Sequence, residues 1–200
     1  NFNLLNEIIF VDDCSTDNSA EIIEKNIIEI KKTYLNIDFL LIRSLKNRGY
    51  GFSIKKGVDH SSNNTLAIID LDRTYKIEDL NTISEMFINN FHLKYDLIAG
   101  QRKIDITNTS RLKIIGKSII NKIANFCFDE KIVDYNSGLR VFNKDKFLKH
   151  SHIMSNRFSL TTSMTIAFLN ENYEIKFHKI KYEERTGNSK LGIKDFFKFL

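Results

Sequence analysis

Apolar residues follow two rhythms along this chain. Short apolar runs bounded by Asp, Asn or Gly alternate with longer stretches in which Ile, Leu and Phe return every three to four positions. The first rhythm is that of strands and the second that of amphipathic helices. Glu7 to Val11 (EIIFV) predicts a first strand running into Asp12-Asp13. Asp17 or Asn18 is placed to cap a helix over 18–34, with Glu21 in its first turn and Ile23, Ile27, Ile30 and Tyr34 on one face. Asp38 to Arg43 predicts a second strand, Asn47 to Gly51 a turn, and a helix follows to about Ser61. Leu66 to Ile69 is an unbroken apolar run, the pattern of a strand covered on both faces, and is taken as the central strand. Leu80, Ile83, Phe87 and Phe91 then mark a helix, Tyr95 to Gln101 a strand, and Leu112, Ile115, Ile119, Ile123 and Phe126 another long helix. A polar loop through Asp134 leads to Gly138–Phe142, a short strand or turn. Residues 159–171 read as helix and Ile175 to Tyr182 as a half-exposed strand. Strand alternating with helix predicts an α/β fold on a mainly parallel sheet.

Two hundred residues suit one globular domain, expected here to span 1–200. An apolar share of 42% against 28% charged is ordinary for a folded, soluble protein and argues against disorder. No apolar run is long enough to cross a bilayer and no signal peptide is visible. The chain starts without Met and enters a strand almost at once, so it is expected to be an excerpt, truncated at both ends. Cys14 and Cys127 are too few for a disulfide framework or a cysteine-based zinc site, and a reduced, cytoplasmic setting is expected. The net charge of +5 and pI of about 9.1 suit a polyanionic partner: nucleic acid, an anionic lipid surface or a phosphate-bearing substrate. They suit equally a codon bias toward Lys, Asn and Ile, in keeping with the absence of proline.

Candidate chemistry gathers where predicted strands end. The run Thr65–Tyr75 (TLAIIDLDRTY) leaves its strand on Asp70-Leu71-Asp72, and side chains at i and i+2 of a strand share a face. Parallel sheets bind ligands at the carboxyl ends of their strands. Two carboxylates there suit a hard divalent cation such as Mg²⁺ or Mn²⁺, or, more plainly, a solvated turn with two capping aspartates. Asp12, Asp13 and Asp17 end the first strand, where a carboxylate accepts from a base N–H or ribose hydroxyl, or simply caps a turn. In Asn47-Arg48-Gly49-Tyr50-Gly51 the glycines allow close backbone approach to a ligand, and Arg48 is within the same loop to meet a phosphate. This loop lacks the glycine spacing of a dinucleotide site and the lysine of a P-loop.

In order, these pieces read strand–Asp-Asp-x-Ser-x-Asp, helix, Asn-x-Gly, helix, strand–Asp-x-Asp. With Gly100-Gln101-Arg102, Asp134 to Phe142 (DYNSGLRVF), Phe158-Ser159-Leu160-Thr161-Thr162 and Arg185 to Lys190 (RTGNSK), the sequence resembles the family 2 glycosyltransferases of the GT-A fold. Within them it looks like the branch of dolichyl- and polyprenyl-phosphate sugar synthases. The resemblance spans nearly the whole chain and implies a metal-dependent, inverting sugar transfer. Asp13 would bind the base of a UDP- or GDP-sugar, supported by Asp12 and beside Asn47 and Gly49. Asp72, assisted by Asp70, would ligate Mg²⁺ or Mn²⁺ bridging the donor diphosphate. Arg102, Arg140, Arg185 and Lys190 would meet donor or acceptor phosphates, the last two being the favoured pair. Asp134 would be the base for a saccharide hydroxyl acceptor. For a polyprenyl-phosphate acceptor, already largely a dianion at neutral pH, it would position or repel charge instead. The family's opening strand is missing, and relatives that continue into membrane helices suggest a site at the cytoplasmic face of the plasma membrane. The aromatic end Phe196 to Leu200 reads as an interfacial helix or a core helix cut short.

Two rivals remain at this level. Ile68 to Thr74 also fits the haloacid-dehalogenase phosphatase signature, with Asp70 as nucleophile and Asp72 as general acid. That family does not account for 134–142 or 185–190. A nucleic-acid-binding domain would use the positive charge, but no aromatic RNA-binding strand, helix-turn-helix or zinc pattern supports it.

Overall fold

The computed structural model describes residues 4–89, 94–102 and 134–183 of the chain. The elements are β1 (Glu7–Asp12), α1 (Ser19–Ile30), β2 (Asp38–Arg43), α2 (Tyr50–His60), β3 (Thr65–Ile68), α3 (Ile77–Asn89), β4 (Leu97–Arg102), β5 (Arg140–Asn143), α4 (Lys144–His150), α5 (Leu160–Asn170) and β6 (Ile175–Ile180). The helix expected over Leu112–Phe126, and Phe91, lie outside the described residues. The chain divides into two compact units, residues 1–66 with 142–167 and residues 67–141 with 168–200.

In the first unit β1 and β2 pair in parallel, from Glu7 opposite Asp38 to Asp12 opposite Arg43. The parallel pair requires a crossover, which α1 supplies. α1 is shorter than its apolar spacing suggests: after Ile30 the N–H of Lys32 turns to Glu29 O and that of Thr33 to Ile30 O, three residues back, and the helix tightens to a stop. The start of β1 is tied to the end of α2. The Glu7 carboxylate accepts from the hydroxyls of Ser61 (2.8 Å) and Ser62 (3.1 Å) and from the Ser62 N–H. Partial burial of Glu7 works against its charge, but these donors outweigh it and hold the carboxyl below its ordinary value.

The four-stranded sheet runs in the order β3-β5-β4-β6. Leu97 to Gly100 of β4 are all buried, and β4 pairs in parallel with β6, from Leu97 opposite Ile175 to Arg102 opposite Ile180. The strand covered on both faces is therefore β4. β3, expected in that role, sits at the end of this sheet among the described residues, with Thr65 and Ala67 exposed and Ile68 buried. Exposure at alternate residues marks a strand with one face uncovered, not a doubly buried run. The second unit's core gathers Tyr75, Ile83, Ile98, Leu139, Val141 and Ile180, with Leu80 and Phe87 of α3 packed against it. The expected apolar face of α3 is thus the one that meets the core. Among the described residues no helix is long and apolar enough to cross a membrane.

Candidate functional site

In the first unit, β1 ends on Asp12, whose buried carboxylate accepts from the Ser15 N–H. This local bond turns the chain sharply, with Cys14 at φ 63°. Asp13 is thereby directed at the loop after β2. Its two carboxylate oxygens accept from the backbone N–H groups of Arg48 (2.9 Å) and Gly49 (2.7 Å), and its carbonyl accepts from Asn47 Nδ2 (3.2 Å). Asp13, Asn47 and Gly49, all selected from sequence, therefore meet in one turn. A carboxylate offers about four lone-pair directions, so two backbone donors orient it and leave acceptor capacity for a ligand N–H or O–H.

The two glycines beside it answer to a different neighbour than expected. Close approach to a ligand was the expectation; the approach is made by residues 155–157 of the same chain. A Cβ on Gly49 (φ 101°) would lie 2.8 Å from Asn156 O and 2.9 Å from Arg157 Cδ, and one on Gly51 would collide with Ser155 O. The Phe52 N–H donates to Asn156 O (3.0 Å), and Lys55 Nζ donates to Met154 O (2.6 Å) and Asn156 Oδ1 (2.8 Å). Tyr50 stacks on Phe158, with ring centroids 5.9 Å apart. Ser159, directly before α5, donates its hydroxyl to Ser155 Oγ (2.8 Å), and its carbonyl accepts the Ser163 N–H (2.9 Å). Lys55 and Arg157 were not legible as part of this cluster, since only the fold brings 154–158 to α2.

The second unit holds the Asp-x-Asp stretch. β3 ends at Ile68, two residues before Asp70, so strand alternation does not orient the two carboxylates. A turn does. Arg73 takes φ 63°, a left-handed conformation uncommon for a residue with a side chain. Thr74, itself buried, returns its hydroxyl (2.6 Å) and N–H (3.2 Å) to Asp72 Oδ1. The Asp70 carboxylate lies against Gly138, where a Cβ would be 2.6 Å from Oδ2. Tyr75, near the end of the same turn, accepts the Gly138 N–H on its buried hydroxyl (2.7 Å). Burial, with the Asp70 charge adding to it, pushes the Tyr75 phenol above its usual value despite the nearby Arg102, so it stays protonated.

Asp134 is fully buried and is bound up with Arg102. Its oxygens accept from Arg102 Nε (2.7 Å), Nη2 (2.8 Å) and N–H (3.1 Å), and from the Asn136 N–H (3.3 Å). Burial opposes the Arg102 charge, but the Asp134 carboxylate more than compensates and raises its pKa. Tyr182 lies under the guanidinium, 5.2 Å from ring centroid to Cζ. Arg140, expected at a phosphate, is fully buried, donating to Ser137 O (2.8 Å) and Tyr135 O (2.6 Å) of its own loop. It shapes residues 134–139 from within, because an internal guanidinium takes the carbonyls that a tight loop leaves unpaired. Arg185 and Lys190 lie outside the described residues.

Among the described residues no three or more His, Cys, Asp or Glu side chains gather as a ready metal cage. Asp70 and Asp72 nonetheless fit a cation of the Mg²⁺ type, which dehydrates reluctantly and is commonly held by one or two carboxylates plus substrate phosphates.

The sequence matches the model of glycosyl transferase family 2 over residues 2–150, which include Asp12, Asp13, Asp70, Asp72, Asp134 and Arg140. The chain belongs to that family, and its α/β structure with parallel strand pairing is of the GT-A type. Glucosyl-3-phosphoglycerate synthase from Mycobacterium tuberculosis, in complex with UDP, superposes with a TM-score of 0.65 at 10% identity, over 99% of this chain and 69% of that one. Its complex with Mn²⁺, UDP and glucosyl-3-phosphoglycerate gives 0.61 at 11% identity, over 92% and 62%. S. aureus TarS 1-349 gives 0.56 at 14% identity, over 90% and 50%. This chain thus spans about half to two-thirds of the length of these structures. No curated protein matches it. The phosphatase alternative for Asp70 and Asp72 is not favoured, since the family match covers the whole stretch that motivated it.

Proposed function

We propose that the chain is the catalytic portion of a metal-dependent, inverting glycosyltransferase that moves a sugar from a UDP- or GDP-sugar to a polyprenyl phosphate. The Asp70–Thr74 turn carries this reading. It offers two carboxylates, one braced by Thr74 and the other seated on Gly138. Asp70 and Asp72 would hold Mg²⁺ or Mn²⁺, which would stabilise charge on the departing diphosphate. The structurally similar M. tuberculosis synthase is described with Mn²⁺ or Mg²⁺ and UDP, which supports the assignment. Asp13 would accept from the nucleotide base or ribose. An acceptor oxygen would bond to the anomeric carbon as the carbon–oxygen bond to the donor breaks, the electron pair leaving on the diphosphate.

Asp134 supports a phosphate over a hydroxyl as acceptor. A general base needs an oxygen directed at the proton it removes. Both oxygens of Asp134 accept from Arg102. An acceptor that arrives ionised needs no base, and Arg102 held by Asp134 would steady its charge. Polyprenyl phosphate would place the enzyme at the cytoplasmic face of the plasma membrane, where the chain's +5 charge favours anionic lipid.

The decisive measurement is sugar transfer to a short-chain polyprenyl phosphate, with UDP- and GDP-sugars and Mn²⁺. Asp72→Asn is expected to abolish metal-dependent turnover while the melting temperature holds. Transfer to a saccharide hydroxyl but not to the lipid phosphate would replace the acceptor, and full activity in Asp72→Asn would remove the metal role.

A further inference from the structure

Tyr75 carries no obvious chemistry in the sequence, yet it ties together several parts of the second unit. Its ring belongs to the core with Ile83, Ile98, Leu139 and Val141, and its edge meets Tyr182 with centroids 5.2 Å apart. A single antiparallel bridge joins the backbones of Tyr75 and Tyr182. Its hydroxyl, in a buried contact, accepts the Gly138 N–H at 2.7 Å. Gly138 in turn bears directly on Asp70: the position a Cβ would occupy is 2.6 Å from Oδ2, 3.1 Å from Cγ and 3.3 Å from Oδ1. All three heavy atoms of that carboxyl group therefore rest over one glycine Cα. The N–H of the same glycine is held by a phenol five residues after Asp70.

We propose that Tyr75 and Gly138 form a brace that sets the position of the Asp70 carboxylate, making Tyr75 a positioning residue for the divalent-metal site. The proposal rests on Asp70 and Asp72 holding the cation. The brace closes a ring through the fold: Asp70, the turn to Tyr75, the hydroxyl–amide bond, and Gly138 back to Asp70. A change at either contact bears on the Asp70 carboxylate. Any side chain at 138 would displace the carboxylate, and loss of the Tyr75 hydroxyl leaves a buried N–H without its acceptor, so that the 134–139 loop must shift to satisfy it. Asp72 has a separate brace in Thr74. The two carboxylates are therefore positioned from different parts of the chain. Groups that orient metal ligands from behind typically contribute on the order of 10–100-fold to metal affinity.

The test is Mn²⁺ binding by the full chain, read as loss of the free-Mn²⁺ paramagnetic resonance signal with UDP or GDP present. UDP or GDP affinity is measured in parallel without metal. Tyr75→Phe and Gly138→Ala are each expected to weaken Mn²⁺ binding by about tenfold or more while metal-free nucleotide affinity stays at the wild-type value. Tyr95→Phe removes a phenol hydroxyl elsewhere in the same unit and is expected to change neither. Wild-type Mn²⁺ affinity in a folded Tyr75→Phe overturns the brace, and this variant decides the matter if Gly138→Ala does not fold. Equal loss of both affinities also overturns it, since that marks general damage. If the wild-type chain itself binds no Mn²⁺ with nucleotide, the assignment of Asp70 and Asp72 falls and the brace with it.

Discussion

At the residue scale, the contrast between Asp13 and Asp134 shows what an acidic side chain's neighbours decide. Asp13 is partly exposed and oriented by two backbone N–H groups. Asp134 is fully buried and grips Arg102 by both oxygens. Removing one partner of a buried ion pair leaves an uncompensated charge. Asp134→Asn is therefore expected to lower stability by about 3 kcal/mol, at the low end because the Arg102 side chain keeps 19% exposure. The midpoint of urea unfolding measures this. A variant that loses turnover with no change in that midpoint would instead identify Asp134 as a base. Both aspartates stand beside turn residues in the sequence, so their types and spacings are legible there. Their opposite burial is not, because Arg102 is 32 residues away and reaches Asp134 only through the fold.

At the element scale, α2 and the 154–158 loop behave as one piece. Gly51→Ala places a methyl group against Ser155 O and is expected to cost about 1–3 kcal/mol, seen as a lower thermal midpoint. Glycines in a loop signal close approach, but the pattern alone does not say whether ligand or protein approaches. The β1–α2 junction brings a pH dependence. The Glu7 carboxyl is held below its usual 4.5 by the Ser61, Ser62 and Asn63 donors. A depressed carboxyl contributes stability above its unfolded pKa and loses it as pH falls through the lower folded value. Acid unfolding of the wild type should therefore steepen below about pH 4.5, and Glu7→Gln should flatten that part of the curve. Equal acid sensitivity in both would refute the link. Most elements were legible because their apolar periods survive in the sequence. β3 is covered on one face rather than two, since an apolar run records hydrophobicity but not which faces other elements cover.

At the scale of the whole molecule, the proposed function has a polyanionic donor bound through a cation. A ligand that binds only the folded state stabilises it by about 2.7 kcal/mol at a hundred times its Kd. A panel of UDP- and GDP-sugars with Mn²⁺ should therefore raise the melting temperature for the true donor alone, and the rise should vanish in Asp72→Asn. Stabilisation of equal size without metal would argue against a cation-bridged diphosphate.

The amino-acid order by itself determined the alternation of strands and helices, the family, and the turns where acidic residues gather. Each follows from local periodicity, from turn chemistry, or from motifs short enough to read directly. Only the tertiary structure decided which of those residues are buried and what their side chains hold. Arg140 turned inward to its own loop, Arg102 was claimed by Asp134, and Tyr75 came to stand behind Gly138 and Asp70. These outcomes depend on contacts between residues 32 and 63 positions apart, or on the burial that the finished fold imposes. No local pattern records either.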